Sequence, residues 1–296
     1  MPVDLAVATP TFLDLTFIGL ESLPKLGEEC FAGDLLRSPG GGAIIAVGAA
    51  RLGLSVALAA PLGEDPAGDL VREALAEEGI PTVDRSARRT PVTVVLPLDG
   101  DRAMVTVDPG VRASSADVAA LEPRAVALSL DQLYCIPPAA DAYVTCGSDD
   151  ARAFALRPPA GLSGVRALFV NEAEAIGLTG TSTVEQAAEE LAGAARTVVV
   201  TRGSAGALAI TDGRRIDVPA FGSAPPRDTT GAGDLLVAAY IWADLNGADT
   251  GDRLRWAVAY AGLSIVEATG VGGAVTLDRL LAEGHRNGLT TPHLLS

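Results

Sequence analysis

A chain of 296 residues is long enough for one large α/β domain or two small ones with a substantial core, and 48% hydrophobic residues mark it as globular. No run of about 18 apolar residues is present, so a membrane span is not expected. A formal charge of −15 disfavours nucleic acid or an anionic membrane as partner, because an acidic surface releases no counterions from either.

In chain order, Met1-Pro2-Val3-Asp4 lacks the basic region of a signal peptide, which makes the cytoplasm the expected location. Asp14 follows the first predicted strand, in Thr11-Phe12-Leu13-Asp14-Leu15, and reads either as a surface turn acid or as a ligand-facing carboxylate. Pro39-Gly40-Gly41-Gly42 is a glycine turn opening a helix of small and aliphatic residues from Ala43 to Leu52, with Gly53 as its cap before a strand at 56–59. A second helix opens at Asp65-Pro66, Asp65 capping it, buries Leu70, Val71, Ala74 and Leu75, and ends at Gly79.

Residues 92–96 and 104–107 flank the turn Asp99-Gly100-Asp101 as an antiparallel ribbon, to which 11–38 could add strands. Apolar runs at 142–145, 167–170 and 198–201 alternate with helical stretches, as in a mainly parallel sheet covered by helices. Asn171-Glu172-Ala173-Glu174 and the loop Thr201-Arg202-Gly203-Ser204-Ala205-Gly206 follow two of these strands, at the sheet edge where open α/β folds bind ligands. An acidic helix start and an ordinary loop into the next hairpin, 207–210 with 216–218 through Asp212-Gly213, are the plain alternatives. The chain thus reads as a single α/β unit over residues 1–296, with a small β lid from about 11–38 and 88–108 that closes over a substrate.

The most informative segment is Asp228-Thr229-Thr230-Gly231-Ala232-Gly233-Asp234. The run Leu235–Ala243 is apolar almost all round, a buried helix that stops at Asn246-Gly247 and whose N-terminus falls at 231–234. Unpaired amides and the positive end of the helix dipole there suit a phosphate or a developing oxyanion. Asp234, in the first turn, is expected to be stabilised in its ionised form and able to take a proton from a substrate hydroxyl. A capping aspartate on a tight turn would leave the same pattern.

Some chemistries are excluded by composition. Lys25 is the only lysine, so the P-loop motif is absent. His285 and His293 lie in the polar tail, which argues against Ser-His-Asp chemistry and histidine metal sites. Cys30, Cys135 and Cys146 are odd in number and widely spaced, as incidental thiols are. A dinucleotide fingerprint fails because Ile45 and Leu236 stand where third glycines belong.

The 228–234 segment resembles the C-terminal signature of the ribokinase-like (PfkB) carbohydrate kinases, Asp-Thr-x-Gly-Ala-Gly-Asp, with every fixed position matched. The 40–53 segment is similar to that family's N-terminal signature, except that Ile44 stands where an Asn usually contacts a substrate hydroxyl. The resemblance implies an ATP-dependent kinase of a small sugar, with Asp234 as catalytic base and the amides of Gly231, Ala232 and Gly233 as an anion hole. It places Asp14, Gly40, Gly41, Gly42 and Ile44 at the substrate, and Asn171, Thr201, Gly203, Gly206 and Gly273 at the nucleotide. Glu174 would hold Mg2+ through water, and the 268–274 loop flanks the base and, in some members, a monovalent cation. The resemblance admits a homodimer through the lid, while a nucleoside kinase and a non-catalytic binding protein on the same scaffold remain alternatives.

Overall fold

The computed structural model describes residues 2–83, 89–98, 101–222 and 227–292. Twelve strands and nine α-helices are described in it. The strands are β1 (Leu5–Val7), β2 (Thr11–Ile18), β3 (Asp34–Gly41), β4 (Val56–Leu58), β5 (Val92–Leu98), β6 (Asp101–Val107), β7 (Ala125–Ser129), β8 (Asp141–Thr145), β9 (Ala167–Asn171), β10 (Thr197–Thr201), β11 (Ala207–Thr211) and β12 (Arg214–Val218). The helices are α1 (Gly42–Arg51), α2 (Pro66–Glu77), α3 (Ser115–Ala120), α4 (Ser148–Ala153), α5 (Glu172–Thr179), α6 (Val184–Ala192), α7 (Ala232–Leu245), α8 (Thr250–Ser264) and α9 (Leu277–Arg286).

Eight strands form one sheet in the order β12-β11-β10-β9-β8-β7-β1-β4. The six from β10 to β4 are parallel, and β11 and β12 extend the edge as an antiparallel hairpin. Alternate strand residues enter two separate cores: Leu5, Val7, Ala127 and Phe169 face one, and Ala6, Val126, Leu128 and Val170 face the other. The strands are apolar on both sides for that reason, and the sheet lies between helices α1, α2, α7, α8 and α9 on one face and α3 to α6 on the other. Among the described residues no helix is long and apolar enough to cross a membrane.

The segments expected to form a lid make a second sheet, β3-β2-β5-β6. It reaches further than the sequence suggested. Gly40 and Gly41 are not a free turn but the last pairs of β3 with β2, so the lid strand runs directly into α1. The turn residues Asp99 and Gly100, residue 88 at the lid's expected edge and His293 lie outside the described residues.

α2 starts where Asp65 accepts from the amide of Gly68 (2.8 Å), and it buries Val71 and Leu75, but Leu70 is 41% exposed and Ala74 only half-buried. The amphipathic stripe of α2 is narrower than its sequence implied, because only one side of the helix meets the sheet. α7 is buried from Leu235 to Asp244 and is braced at its far end. Asp244 accepts from Arg166 Nε and NH2 (2.8 Å each) and from the Tyr143 hydroxyl (2.7 Å), and it pairs with Arg253 (3.0 Å). Edge-to-face packing of Trp242 on Trp256 joins α7 to α8. The N-terminus of α7 is therefore carried on a rigid rod.

Candidate active site

The N-termini of α2, α3, α5, α6 and α8 are closed by the side chains of Asp65, Ser114, Asn171, Thr183 and Asp249. Those of α4 and α9 lack a side-chain cap, and those of α1 and α7 start at glycines with φ of +58° and +76°, Gly41 and Gly231, which bring no side chain to the first amides. The two open ends adjoin: Ile44, in the first turn of α1, packs against the α-carbons of Gly231 and Gly270. Two positive dipole ends thus meet under the lid.

Asp234 is the third residue of α7 and is half-buried. Burial, and after it the negative charge of Asp14, raises its carboxyl to about 7, with Glu174 adding to the rise and Arg102 opposing it. The helix dipole was expected to keep this group ionised, but desolvation among like charges outweighs a terminal dipole worth about 0.3–1 kcal/mol. The result is a carboxylate near neutrality, suited to taking a proton. In the loop before it, Ala232 N is directed at the Thr229 carbonyl (3.3 Å) and so is not fully free for an anion. Gly233 is exposed, with open space where a side chain would stand.

Asp14 lies in the lid on β2, 7% exposed, its carboxylate set flat against the α-carbon of Gly40 so that any side chain at 40 would collide with it. Burial raises it to about 6; the Thr93 hydroxyl opposes the rise and the charge of Asp228 adds to it. Strand register places Ser38, Asp14, Thr93 and Thr106 in one row across all four lid strands, with the Thr93 and Thr106 hydroxyls 3.1 Å apart. Nothing in the local sequence marks Ser38, Thr93 and Thr106, since only the pairing of β2 with β3 and β5, and of β5 with β6, puts them in a row with Asp14.

The remaining positions divide. Gly41 and Gly42 are packed on the 9–12 segment, and Ile44 is buried at 2% exposure, so it contributes packing beneath Gly231 and Gly270. Asn171 and Glu174 close the start of α5 reciprocally: Asn171 Oδ1 accepts from Glu174 N (2.9 Å) and Glu174 Oε2 accepts from Asn171 N (2.8 Å). Burial raises Glu174 to about 7, the Asn171 amide opposing and Asp150 adding to the rise. Thr201 ends β10, and Gly203 beyond it faces open space. Gly206 and Gly273 are held by close packing on the 218–220 backbone and on Ser264.

Asp228, quoted within the motif but given no role from sequence, fastens two loops: its carboxylate accepts from Thr230 N (2.8 Å) and Thr269 N (3.0 Å). Arg51, at the end of α1, donates to the carbonyls of Val271 (3.2 Å) and Ala274 (2.5 Å), steadying the same late loop. From the lid, Arg102 NH1 donates to Thr229 Oγ1 (2.8 Å). A shallow recess lined by Ala8, Pro10, Thr11, Ala60, Pro61 and Val111 among others opens beyond β1 and β4, and none of these carboxylates lines it.

The residues present fit a magnesium nucleotide. Two uncapped helix starts offer amides to phosphate, and Glu174 keeps Oε1 outside its capping box in a setting where a cation would relieve its burial. Among the described residues no cluster of three or more His, Cys, Asp or Glu side chains could hold an ion directly.

A mainly parallel sheet covered on both faces, with a β lid above an acid-bearing helix start, defines the ribokinase fold. Residues 31–275 match the pfkB family carbohydrate kinase, and the chain belongs to that family of phosphotransferases with an alcohol group as acceptor. It is 29% identical to a ribokinase of Bacillus subtilis (strain 168) over 277 residues, 87% of this chain and 91% of the relative. It is similar to the structure of Arabidopsis thaliana ribokinase complexed with ribose and ATP, with a TM-score of 0.77, 25% identity, and 96% and 99% of the two chains covered. The ribokinase of Thermotoga maritima superposes with a TM-score of 0.81 at 20% identity, covering 95% and 99%.

Proposed function

We propose that this protein transfers the γ-phosphoryl group of ATP to a hydroxyl of a small, uncharged sugar or sugar-like molecule. The observations that support the reading are the Arg102–Thr229 hydrogen bond, which brings the lid sheet onto the loop before α7, and the charge of Asp14, in that sheet, which acts on Asp234 at the open start of α7: a base and a hydroxyl acceptor lie near one another. The row of Ser38, Asp14, Thr93 and Thr106 suits a molecule presenting several hydroxyls.

In this reading Asp14 and its row orient the acceptor, and Asp234 takes the proton of the attacking hydroxyl. The amides at 231–234 face the charge that develops on the phosphoryl group. ATP would supply the phosphoryl group; Asn171 and Glu174 would hold Mg2+ through water, where it would offset charge on the phosphate oxygens, and Thr201, Gly203, Gly206 and Gly273 would bind the nucleotide. Asp228 and Arg51 keep the loops that frame this site in place. Positioning and electrostatics supply most of the rate in phosphoryl transfer. The cytoplasm as the site of action and a homodimer through the lid, where Met104, Val105 and Val107 are exposed, complete the proposal.

The test is an ADP-release screen with ATP and Mg2+ against aldoses, ketoses, polyols and the nucleosides adenosine, inosine and cytidine. Turnover is expected with a sugar or polyol. Preference for a nucleoside would move the assignment to nucleoside kinases, and binding without ADP release would contradict catalysis.

A further inference from the structure

The cleft is acidic. Asp14, Asp228, Asp234 and Glu174 act on one another through space, and a nucleotide adds several negative charges to them. The chain's single lysine, Lys25, lies exposed in the segment between β2 and β3. Against this background Arg102 stands out by position. It projects from β6, the outermost lid strand, and its NH1 donates to Thr229 Oγ1 (2.8 Å), two residues before Gly231 and 127 residues away in sequence. Its positive charge also opposes the rise in proton affinity of Asp234, which places the guanidinium within reach of the reacting end of the cleft.

We propose that Arg102 is a catalytic residue carried by the lid, its guanidinium turning from Thr229 onto the oxygens of the transferring phosphoryl group when nucleotide binds. This rests on the kinase reading given above. The acceptor oxygen forms a bond to Pγ, the bond from Pγ to the bridging oxygen breaks, ADP departs with that electron pair, and the acceptor proton passes to Asp234. Arg102 makes and breaks no covalent bond. It offsets negative charge on the phosphoryl oxygens, and because it arrives with the lid, that charge is in place only when the lid lies over the site. The hydrogen bond to Thr229 holds the side chain close to that position.

The test compares binding of AMP-PNP and ADP, each with Mg2+, by titration calorimetry in the wild type, Arg102→Met, Arg102→Lys and Thr229→Val, with thermal melting to confirm that each variant folds. A contact with the γ-phosphoryl group predicts that Arg102→Met loses about tenfold or more in AMP-PNP affinity while ADP affinity moves less than about threefold, with Arg102→Lys between. In turnover, kcat of Arg102→Met should fall about 10²–10³-fold, and guanidinium ion should restore part of the rate to Arg102→Gly. Thr229→Val should keep the preference for AMP-PNP over ADP. The proposal is overturned if Arg102→Met retains that preference, or if Thr229→Val loses it equally, which would reduce Arg102 to a latch on the loop. The binding comparison reads Arg102 even if no acceptor is found, whereas a wild type that turns over no acceptor would sink the kinase reading alone.

Discussion

Ile44 lies against Gly231: its Cδ1 is 2.9 Å and its Cγ2 3.1 Å from where a β-carbon on residue 231 would stand, and it crowds Gly270 in the same way. The residue that departs from the family's usual asparagine therefore packs beneath the loop that opens α7, and glycine at 231 is required by this contact, by the closer Gly270 α-carbon (2.7 Å) and by its φ of +76°.

Gly231→Ala should accordingly lose about 1–3 kcal/mol of stability and most of its turnover. Ile44→Ala should cost about 2–5 kcal/mol through the cavity it leaves. In the double variant the new methyl is relieved of Ile44 but still meets the Gly270 α-carbon, so the loss is expected to be smaller than the sum of the two single losses by about 0.5 kcal/mol or more. Denaturant midpoints of the three variants measure this, and simple additivity would refute the contact.

Stability should fall as pH rises from about 4 to about 7. Asp14, Glu174 and Asp234 all have folded pKa values above their unfolded ones, at about 6, 7 and 7. The folded state therefore holds more protons in this window; the contribution is full below the unfolded values and lost through the folded ones. Asp234→Asn, which removes one of these charges, should be more stable than the wild type at pH 8 by roughly 1–3 kcal/mol, while the two converge near pH 4. Thermal melts of the nucleotide-free protein across this range test the sign.

Asp244 predicts the opposite slope. Burial would raise its carboxyl, but Arg166, Tyr143 and Arg253 hold it below the ordinary range, so its contribution is present above the unfolded pKa and lost on acidification through the folded one. Asp244→Ala leaves two guanidinium groups without their carboxylate and should cost about 3–5 kcal/mol, read from chemical denaturation at pH 7.

Thr93→Val tests the hydroxyl row of the lid. Removing a neutral hydrogen bond worth about 0.5–1.5 kcal/mol should raise KM for the acceptor about 2–10-fold, with kcat and KM for ATP nearly unchanged. An unaltered acceptor KM would remove Thr93 from the binding surface.

Much of this architecture could be read from residue order. The buried strands at 142–145, 167–170 and 198–201 announce themselves by apolar runs that meet helices on both faces, and each recurs in the structure within one residue. β7 was missed because Ala125-Val126-Ala127-Leu128 suits a helix as well as a strand, and only pairing with β1 and β8 decides. Gly40 and Gly41 read as a turn because glycine normally marks one; here the need is room for Asp14 and for the 9–12 segment, which no local pattern displays. Arg102, Thr93 and Asp228 escaped notice for a similar reason, since their partners lie 127, 79 and 41 positions away or on a neighbouring strand.

The central claim is that Asp234 accepts the proton of the attacking hydroxyl, and steady-state turnover of Asp234→Asn, alongside its ATP affinity, tests it most directly. With the acceptor found by the screen, kcat should fall about 10²–10⁴-fold while ATP binding stays within about twofold, and the acid limb of the wild-type profile, set by a group near pH 7, should be lost. A variant that keeps wild-type kcat and the same acid limb would show that another group removes the proton.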